Sequence, residues 1–207
     1  MPNKQPTQTR QAALVAAALA LAAERSPAAV TTADLAQAVG ITQGAVFRHF
    51  ENKEAIWLAV IDFAHQDLLA RLNAAAATQA LPLAALRAVF LAHVDFVVEQ
   101  PGVPRVIFQE LQHPEDTPLK ARVRGLMQAY RTLITGLLQR AQATRQLAPG
   151  TDLQAAAVLF VGSVQGLVMQ SLLSGQVGAM AAQAPAVFDL LQQAIAAQTT
   201  RPQETTA

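Results

Sequence analysis

An all-α fold is predicted for this 207-residue chain, and three observations carry the prediction. Hydrophobic residues make up 52% of it but aromatic residues only 5%, so Ala, Leu and Val have to fill the interior. Nowhere do β-branched or aromatic residues alternate with polar ones over the length of a strand. Apolar residues instead recur at helical spacing, between Pro and Gly punctuation, in about nine segments. No internal repeat of the kind that builds a solenoid is apparent. The length allows a substantial core, in one large domain or two smaller ones.

The first eight residues are polar, contain Pro2 and Pro6, and have the pattern of a tail. A first helix is expected from Thr9 to about Glu24, with Leu14, Ala18 and Leu21 packed behind the segment that follows. Its apolar run, Ala12 to Ala23 after Lys4 and Arg10, also resembles a secretory leader, with Ala18-Leu19-Ala20 as a cleavage site. Cleavage after Ala20 would remove the support of the next two helices, so the first-helix reading is preferred.

Those two helices lie in Thr31 to Glu54, TTADLAQAVGITQGAVFRHFENKE. They are expected to be about seven and nine residues long and to meet at Val39-Gly40-Ile41. Gly40 supplies the left-handed backbone that ends the first helix without a Cβ clash. Thr32 and Thr42 are the expected N-caps. Leu35, Ala36 and Val39 share one face of the first helix, and Val46 and Phe50 repeat at i, i+4 on the second. This is the pattern of a helix-turn-helix, whose second helix would offer Gln43, Gly44, Ala45, Phe47, Arg48 and His49 to the DNA major groove.

The string Gly40-Ile41-Thr42-x-Gly44-x-Val46-Phe47-x-His49-Phe50-x-Asn52-Lys53-Glu54 resembles the signature of the TetR family of bacterial transcriptional regulators. The likeness covers residues 10 to 60 or so; beyond them only length and the run of helices match. It implies a cytoplasmic homodimer on a palindromic double-stranded operator, most often a repressor released by a small-molecule effector. It implies no enzyme activity and no cofactor. Lys53 would grip a phosphate beside the first amides of the fourth helix, where the helix dipole favours an anion. In the family Phe47 is more often Tyr, whose hydroxyl touches a phosphate. Here the aromatic ring would contribute only packing or a van der Waals contact to the DNA.

A fourth helix, N-capped by Asn52, is expected to reach about Ala77, and a fifth runs from Leu81-Pro82 to Glu99. A short helix, about Pro104 to Gln112, precedes the loop His113 to Pro118. A long helix from Leu119 to about Gln146 ends at Pro149-Gly150. Another, capped by Thr151 or Asp152, runs to about Ser174. After the loop Gly175 to Gly178, a last helix is expected from about Ala184 to Gln198. The predicted domains are 1–55 for DNA binding, 56–200 for effector binding and dimerisation, and a disordered tail at 201–207.

The 152–174 helix is apolar nearly all round, so several of its sides must be covered. Together with the last helix it is expected to form a four-helix dimer interface through Leu153, Phe160, Val164, Leu167, Val168, Phe188 and Leu191. Gly162 and Gly166 would allow close helix approach. Its richest stretch, Ala155 to Val164, is too short to span a bilayer, so no membrane contact is expected.

Within the DNA-facing set, Gln43 is expected to read a base, since Gln pairs bidentately with adenine. Base and phosphate contacts are equally open to Arg48, and His49 is assigned to a phosphate. Thr31, Thr32 and Thr42 can serve both as caps and as phosphate donors. Net charge is +1 overall, and residues 1 to 55 carry five basic against four acidic side chains, again +1. Affinity must therefore rest on a few placed contacts and two copies of the motif rather than on bulk charge.

The effector pocket is assigned to His93, Phe96, Gln109, Gln128, Tyr130, Arg131, Gln165 and Met169, because pockets are apolar with a few polar groups. The scarcity of charge among them points to a largely apolar ligand. The four histidines are scattered, and no metal-ligand spacing, P-loop, GxGxxG or Ser-His-Asp arrangement occurs, so neither a metal site nor catalysis is expected. The absence of cysteine excludes disulfides and thiolate chemistry. A DNA-binding protein with no effector remains the alternative.

Overall fold

A computed structural model describes residues 7–197. Among these residues it has nine α-helices and no strand: α1 (Thr7–Glu24), α2 (Thr32–Ala38), α3 (Gln43–Val46), α4 (Lys53–Ala77), α5 (Pro82–Glu99), α6 (Gly102–Glu110), α7 (Pro118–Ala143), α8 (Leu153–Ser174) and α9 (Ala179–Ile195). A 3-10 turn at Pro27–Ala29 joins α1 to α2. The expected tail at 201–207 and the last expected residue of α9, Gln198, lie outside the described residues.

Local chemistry explains most boundaries. Asn52 caps α4 through Ala55 N–H, and Asp152 caps α8 by accepting from the amides of Gln154 and Ala155. The α2 cap is Thr31 rather than the expected Thr32. Thr31 Oγ1 accepts from Asp34 N at 3.1 Å while Asp34 Oδ2 accepts from Thr31 N at 2.8 Å, a reciprocal capping box. Gly40 has φ +67, as the turn requires.

Helix α1 begins at Thr7, so Thr7 and Gln8 of the expected tail are helical, α6 begins at Gly102, and α9 ends at Ile195. Three further helix ends differ more instructively from expectation. The second helix of the motif has four α-helical residues, not nine. Past Val46 the amides of Arg48 and His49 bond the carbonyls three residues back, Ala45 and Val46, and the chain tightens into a turn. The long helix α7 stops at Ala143 because Arg145 takes a left-handed conformation, φ 57, and Gln146 N returns to Ala141 O. The last helix begins at Ala179, with Pro185 inside it. Proline removes one N–H there, and the deprived turn lies on the exposed side of α9, where water can reach the free carbonyl.

Helix α5 occupies the centre, against α4, α7, α8 and α9. Phe90 of α5 meets Phe160 of α8 and Phe188 of α9, each at 5.4 Å between ring centroids. These rings and the surrounding Leu, Val and Ala form one continuous core with the N-terminal helices. The expected domain boundary at 55/56 falls within the first turn of α4, which packs on α1 at one end and on α5 and α7 along its length. By length and composition alone the 22-residue α8 could cross a membrane, as a core helix of this length also could, because apolar residues continue beyond Val164. One side of it packs on α5, α7 and α9.

Candidate nucleic-acid interface and interior chamber

The helix-turn-helix closes over Leu35, Ala36, Val46 and Phe50, all buried. From α1, Gln11 Nε2 donates to His49 O at 2.9 Å and Arg10 reaches Val39 O at 3.4 Å, so the first helix pins both halves of the motif. Arg25 pairs with Asp34 at 3.1 Å. The hydrogen bonds from Thr31, then Arg25, hold the Asp34 carboxyl down at about 2, so the cap is ionised near neutral pH.

The outward surface of the motif carries Thr31, Thr42, Gln43, Gly44, Phe47 and Arg48, all exposed, with Thr32, Ala45 and His49 half-buried. Gln43 Nε2 donates to Thr32 Oγ1 at 2.8 Å, which orients the amide across the two helices. Phe47 is 48% exposed, a large apolar ring with no core to fill. His49 Nδ1 is buried without a hydrogen-bond partner. Lys53, half-buried at the start of α4, donates from Nζ to Ala28 O at 3.1 Å.

The Lys53 contact joins a junction that sequence reasoning missed. Gln109 on α6 accepts from Ala28 N at 2.8 Å and from Ser26 Oγ at 3.2 Å, so the 3-10 turn is held by α6 on one side and Lys53 on the other. Gln109 is therefore no part of the pocket to which it was assigned: it sits on the α6 face that meets the 3-10 turn. At the start of the same helix, Gly102 lies directly on α1. A Cβ there would collide with the Leu19 carbonyl oxygen and come within 3.3 Å of Ala22 Cβ.

The other face of α6 lines a chamber of about 420 Å³, walled by α4, α5, α6, α7 and α8. This lies within the usual span for small-molecule pockets, about 300–1,000 Å³. His93, Phe96, Gln128, Tyr130, Arg131 and Gln165 line it. Met169 does not; one turn past Gln165 it has rotated to the outer face of α8, 42% exposed. The sequence reading also overlooked the α6 contribution, Val103, Pro104, Ile107 and Phe108. Its signal was the run Val103 to Phe108, apolar except for Arg105, directly after Pro101-Gly102.

The chamber lining is mainly apolar and includes no acidic side chain; Lys120, Arg124 and Arg131 are its cations. His93 Nδ1 and the Tyr130 hydroxyl are 2.8 Å apart, with the rings edge to face at 4.9 Å. Burial pushes the His93 imidazole down to about 4 and raises the Tyr130 phenol, so both are neutral near pH 7. Among the described residues no three His, Asp or Glu side chains converge as a metal site.

The residues assigned to a dimer interface are corrected by their burial. Phe160, Val164, Leu167, Val168, Phe188 and Leu191 face the interior of their own chain, and Leu153 is half-buried. Val164 and Val168 belong to the chamber wall, and Phe160 and Phe188 to the aromatic cluster. An all-apolar helix gives no phase by which to tell its covered sides apart. The exposed stripe of α8 is Ala155, Val158, Leu159, Gly162, Gly166, Met169 and Leu173, and α9 continues it with Ala182, Ala186 and Leu190. Val158, Leu173 and Leu190 are 67%, 74% and 68% exposed.

Known proteins match both halves of this arrangement. The family described as bacterial regulatory proteins, tetR family, matches residues 14–60, and the tetracyclin repressor-like C-terminal domain matches residues 107–187. The nucleoid occlusion factor SlmA of Actinobacillus pleuropneumoniae is 30% identical over 139 residues, 67% of this chain and 69% of that protein. SlmA of Marinomonas sp. is 25% identical over 169 residues, 81% and 84% of the two chains. Among solved structures, the regulator FadR of Bacillus subtilis in complex with stearoyl-CoA superposes with TM-score 0.76 at 19% identity, over 87% of this chain and 96% of that one. SmeT, the repressor of the Stenotrophomonas maltophilia multidrug efflux pump SmeDEF, gives 0.72 at 21% identity, over 93% of each chain. With its helix-turn-helix, its helical C-terminal half and these relatives, the chain belongs to the TetR family of bacterial DNA-binding regulators.

Proposed function

We propose that this regulator is a homodimeric repressor, released from a palindromic operator when a small, largely apolar effector fills the chamber. One observation carries the reading: α6 forms a chamber wall on one face and holds the DNA-binding half on the other. A ligand that displaces Ile107 or Phe108 shifts α6, and Gln109 passes the shift to the 3-10 turn and Lys53. Two recognition helices must sit about 34–36 Å apart to enter successive major grooves, so a small rotation of each protomer disfavours the operator-bound state. The chamber lining favours an effector whose polar end is neutral or negative, since it offers cations and no carboxylate. Relatives in the fold support the ligand class: FadR is complexed with stearoyl-CoA, and SmeT controls a multidrug pump.

In this reading Gln43 contacts a base, Lys53 and His49 contact phosphates, and Arg48 serves either. The dimer forms through the exposed stripe of α8 and α9, where Gly162 and Gly166 leave room for a facing helix. Leu173→Arg with Leu190→Arg should convert a dimer to a folded monomer in light-scattering chromatography. A wild-type monomer at micromolar concentration would overturn the dimer.

The functional test is fluorescence anisotropy on an operator selected from random DNA, titrated with long-chain acyl and aromatic compounds. A releasing compound should be clearly less effective against Gln109→Ala, which loses the α6 contact to Ala28 and keeps only the Gly102 seam on α1. Equal release from the variant would break the proposed route. The relatives named as nucleoid occlusion factors favour a second reading, in which this chain has that role, and for it we propose dispersed DNA sites and no effector. Genome-wide crosslinking separates the two: a few operators support the repressor, and dispersed sites support the occlusion factor.

A further inference from the structure

The His93–Tyr130 pair on the chamber wall carries one hydrogen more than it can use on itself. A neutral imidazole has one N–H and one bare nitrogen, and the phenol has one O–H. One of these two hydrogens lies in the 2.8 Å contact between Nδ1 and the phenol oxygen. If Tyr130 donates, the imidazole hydrogen sits on Nε2; if Nδ1 donates, the phenolic hydrogen is left over. Either tautomer leaves one donor. Among the described residues neither Nε2 nor the hydroxyl has a second protein partner. Phe96, Val97, Leu126, Val164 and Val168 share the lining and cannot accept, and the amides of Gln128 and Gln165 make no bond to the pair. His93 is half-buried on that wall, so its leftover donor faces the chamber and is available to an acceptor on a ligand that enters it.

We propose that His93 and Tyr130 form the polar recognition point of the chamber, donating one hydrogen bond to an uncharged acceptor on an otherwise apolar ligand. The acceptor class is a carbonyl oxygen, as in a ketone, ester or thioester. A carbonyl balances the count, because it brings an acceptor and no hydrogen. A carboxylate at this point would be a buried charge facing one neutral donor, with Arg131 turned to solvent. This inference rests on the chamber being the effector site, and it adds what the effector must carry.

The test uses displacement of N-phenylnaphthylamine from the full-length protein, without DNA, by methyl nonyl ketone and by undecane. The readout is the ratio of the two affinities, compared between protein variants, so the cost of removing the ketone from water cancels. In His93→Leu/Tyr130→Phe the ketone-to-alkane ratio should fall about three- to tenfold, the worth of one net hydrogen bond. Each single substitution should leave the ratio near that of wild type. Tyr130 alone keeps its O–H, and His93 alone can carry its hydrogen on Nε2. A pair that only braces the core would instead lower both affinities together and leave the ratio unchanged, which would overturn the proposal. Wild-type protein gives a second reading that no folding defect can obscure: the carbonyl stretch of carbon-13-labelled ketone should lie lower when bound than in an alkane solvent. A bound stretch at the alkane value, or failure of the ketone to displace the dye, also overturns it. Operator binding is measured separately, so the regulator reading stands or falls on its own.

Discussion

Residues Thr31 to Phe50 hold their shape through hydrogen bonds between near neighbours, whereas the chamber is held by side chains far apart in sequence. The capping box joins residues three positions apart, and the Gly40 turn is closed by Ile41 N to Ala36 O. Behind the wall residue Tyr130, the rings of Phe90, Phe160 and Phe188 pack together, the four arriving from four helices. The difference separates two kinds of vulnerability. On the helix-turn-helix surface a side chain can change DNA affinity with little effect on the fold, while in the chamber wall binding and stability are altered together.

The sharpest way to break this comparison is Phe160→Ala. It removes the ring between Phe90 and Tyr130 and should cost about 3–5 kcal/mol in urea unfolding, with weaker ligand binding as a consequence. A loss under about 1 kcal/mol would mean that the aromatic cluster behind the wall collapses freely and carries no more stability than the surface motif.

Next in size is the acid response. The His93 imidazole lies near 4 when folded, against 6.5 when unfolded. Between those values the unfolded chain binds the extra proton, so stability falls as pH drops from about 6.5 to 4, by roughly 3 kcal/mol in all. His93→Leu should flatten that part of the pH profile. An equal slope in the variant would assign the loss to other groups. Asp34 adds no loss in this window: its carboxyl is already depressed to about 2, so its contribution fades only as pH falls below the ordinary carboxylate range.

The smallest expected effect sharpens the other side of the comparison. Phe47 is exposed, so under the proposed DNA-binding role Phe47→Tyr would offer a hydroxyl to the DNA backbone without disturbing the core. One added bond per subunit predicts roughly tenfold tighter operator binding. The melting temperature should be unchanged. Destabilisation without tighter binding would show that the ring packs rather than contacts DNA.

How legible these regions were in the sequence follows from the same contrast. Gly40 and Asn52 act on residues within a few positions and their roles could be read directly from the chain, while Asp152 was one of two candidate caps for α8. Thr31 was missed as the α2 cap because two threonines stand side by side, and only Asp34, three residues on, selects the first. The chamber was legible in part. His93 and Tyr130 stood out as polar groups in apolar helices, but Gln109 looked the same and faces the opposite way. Nothing within α8 distinguishes Phe160 from Leu159, yet one is buried and the other lies on the outer stripe. Phase on a uniformly apolar helix is set by the partners around it.

Gly102 gives the junction an elastic property. Most helix contacts are cushioned by side chains that can change rotamer or shift by a few tenths of an ångström. Where α6 starts on α1 there is no cushion, only the glycine backbone against the Leu19 carbonyl. A seam of that kind has almost no slack, so a push on α6 moves α1 instead of being absorbed between them. Because α1 grips the motif at Val39 and His49, a displacement of α6 under the proposed reading would reach the helix-turn-helix through α1 as well as through Gln109.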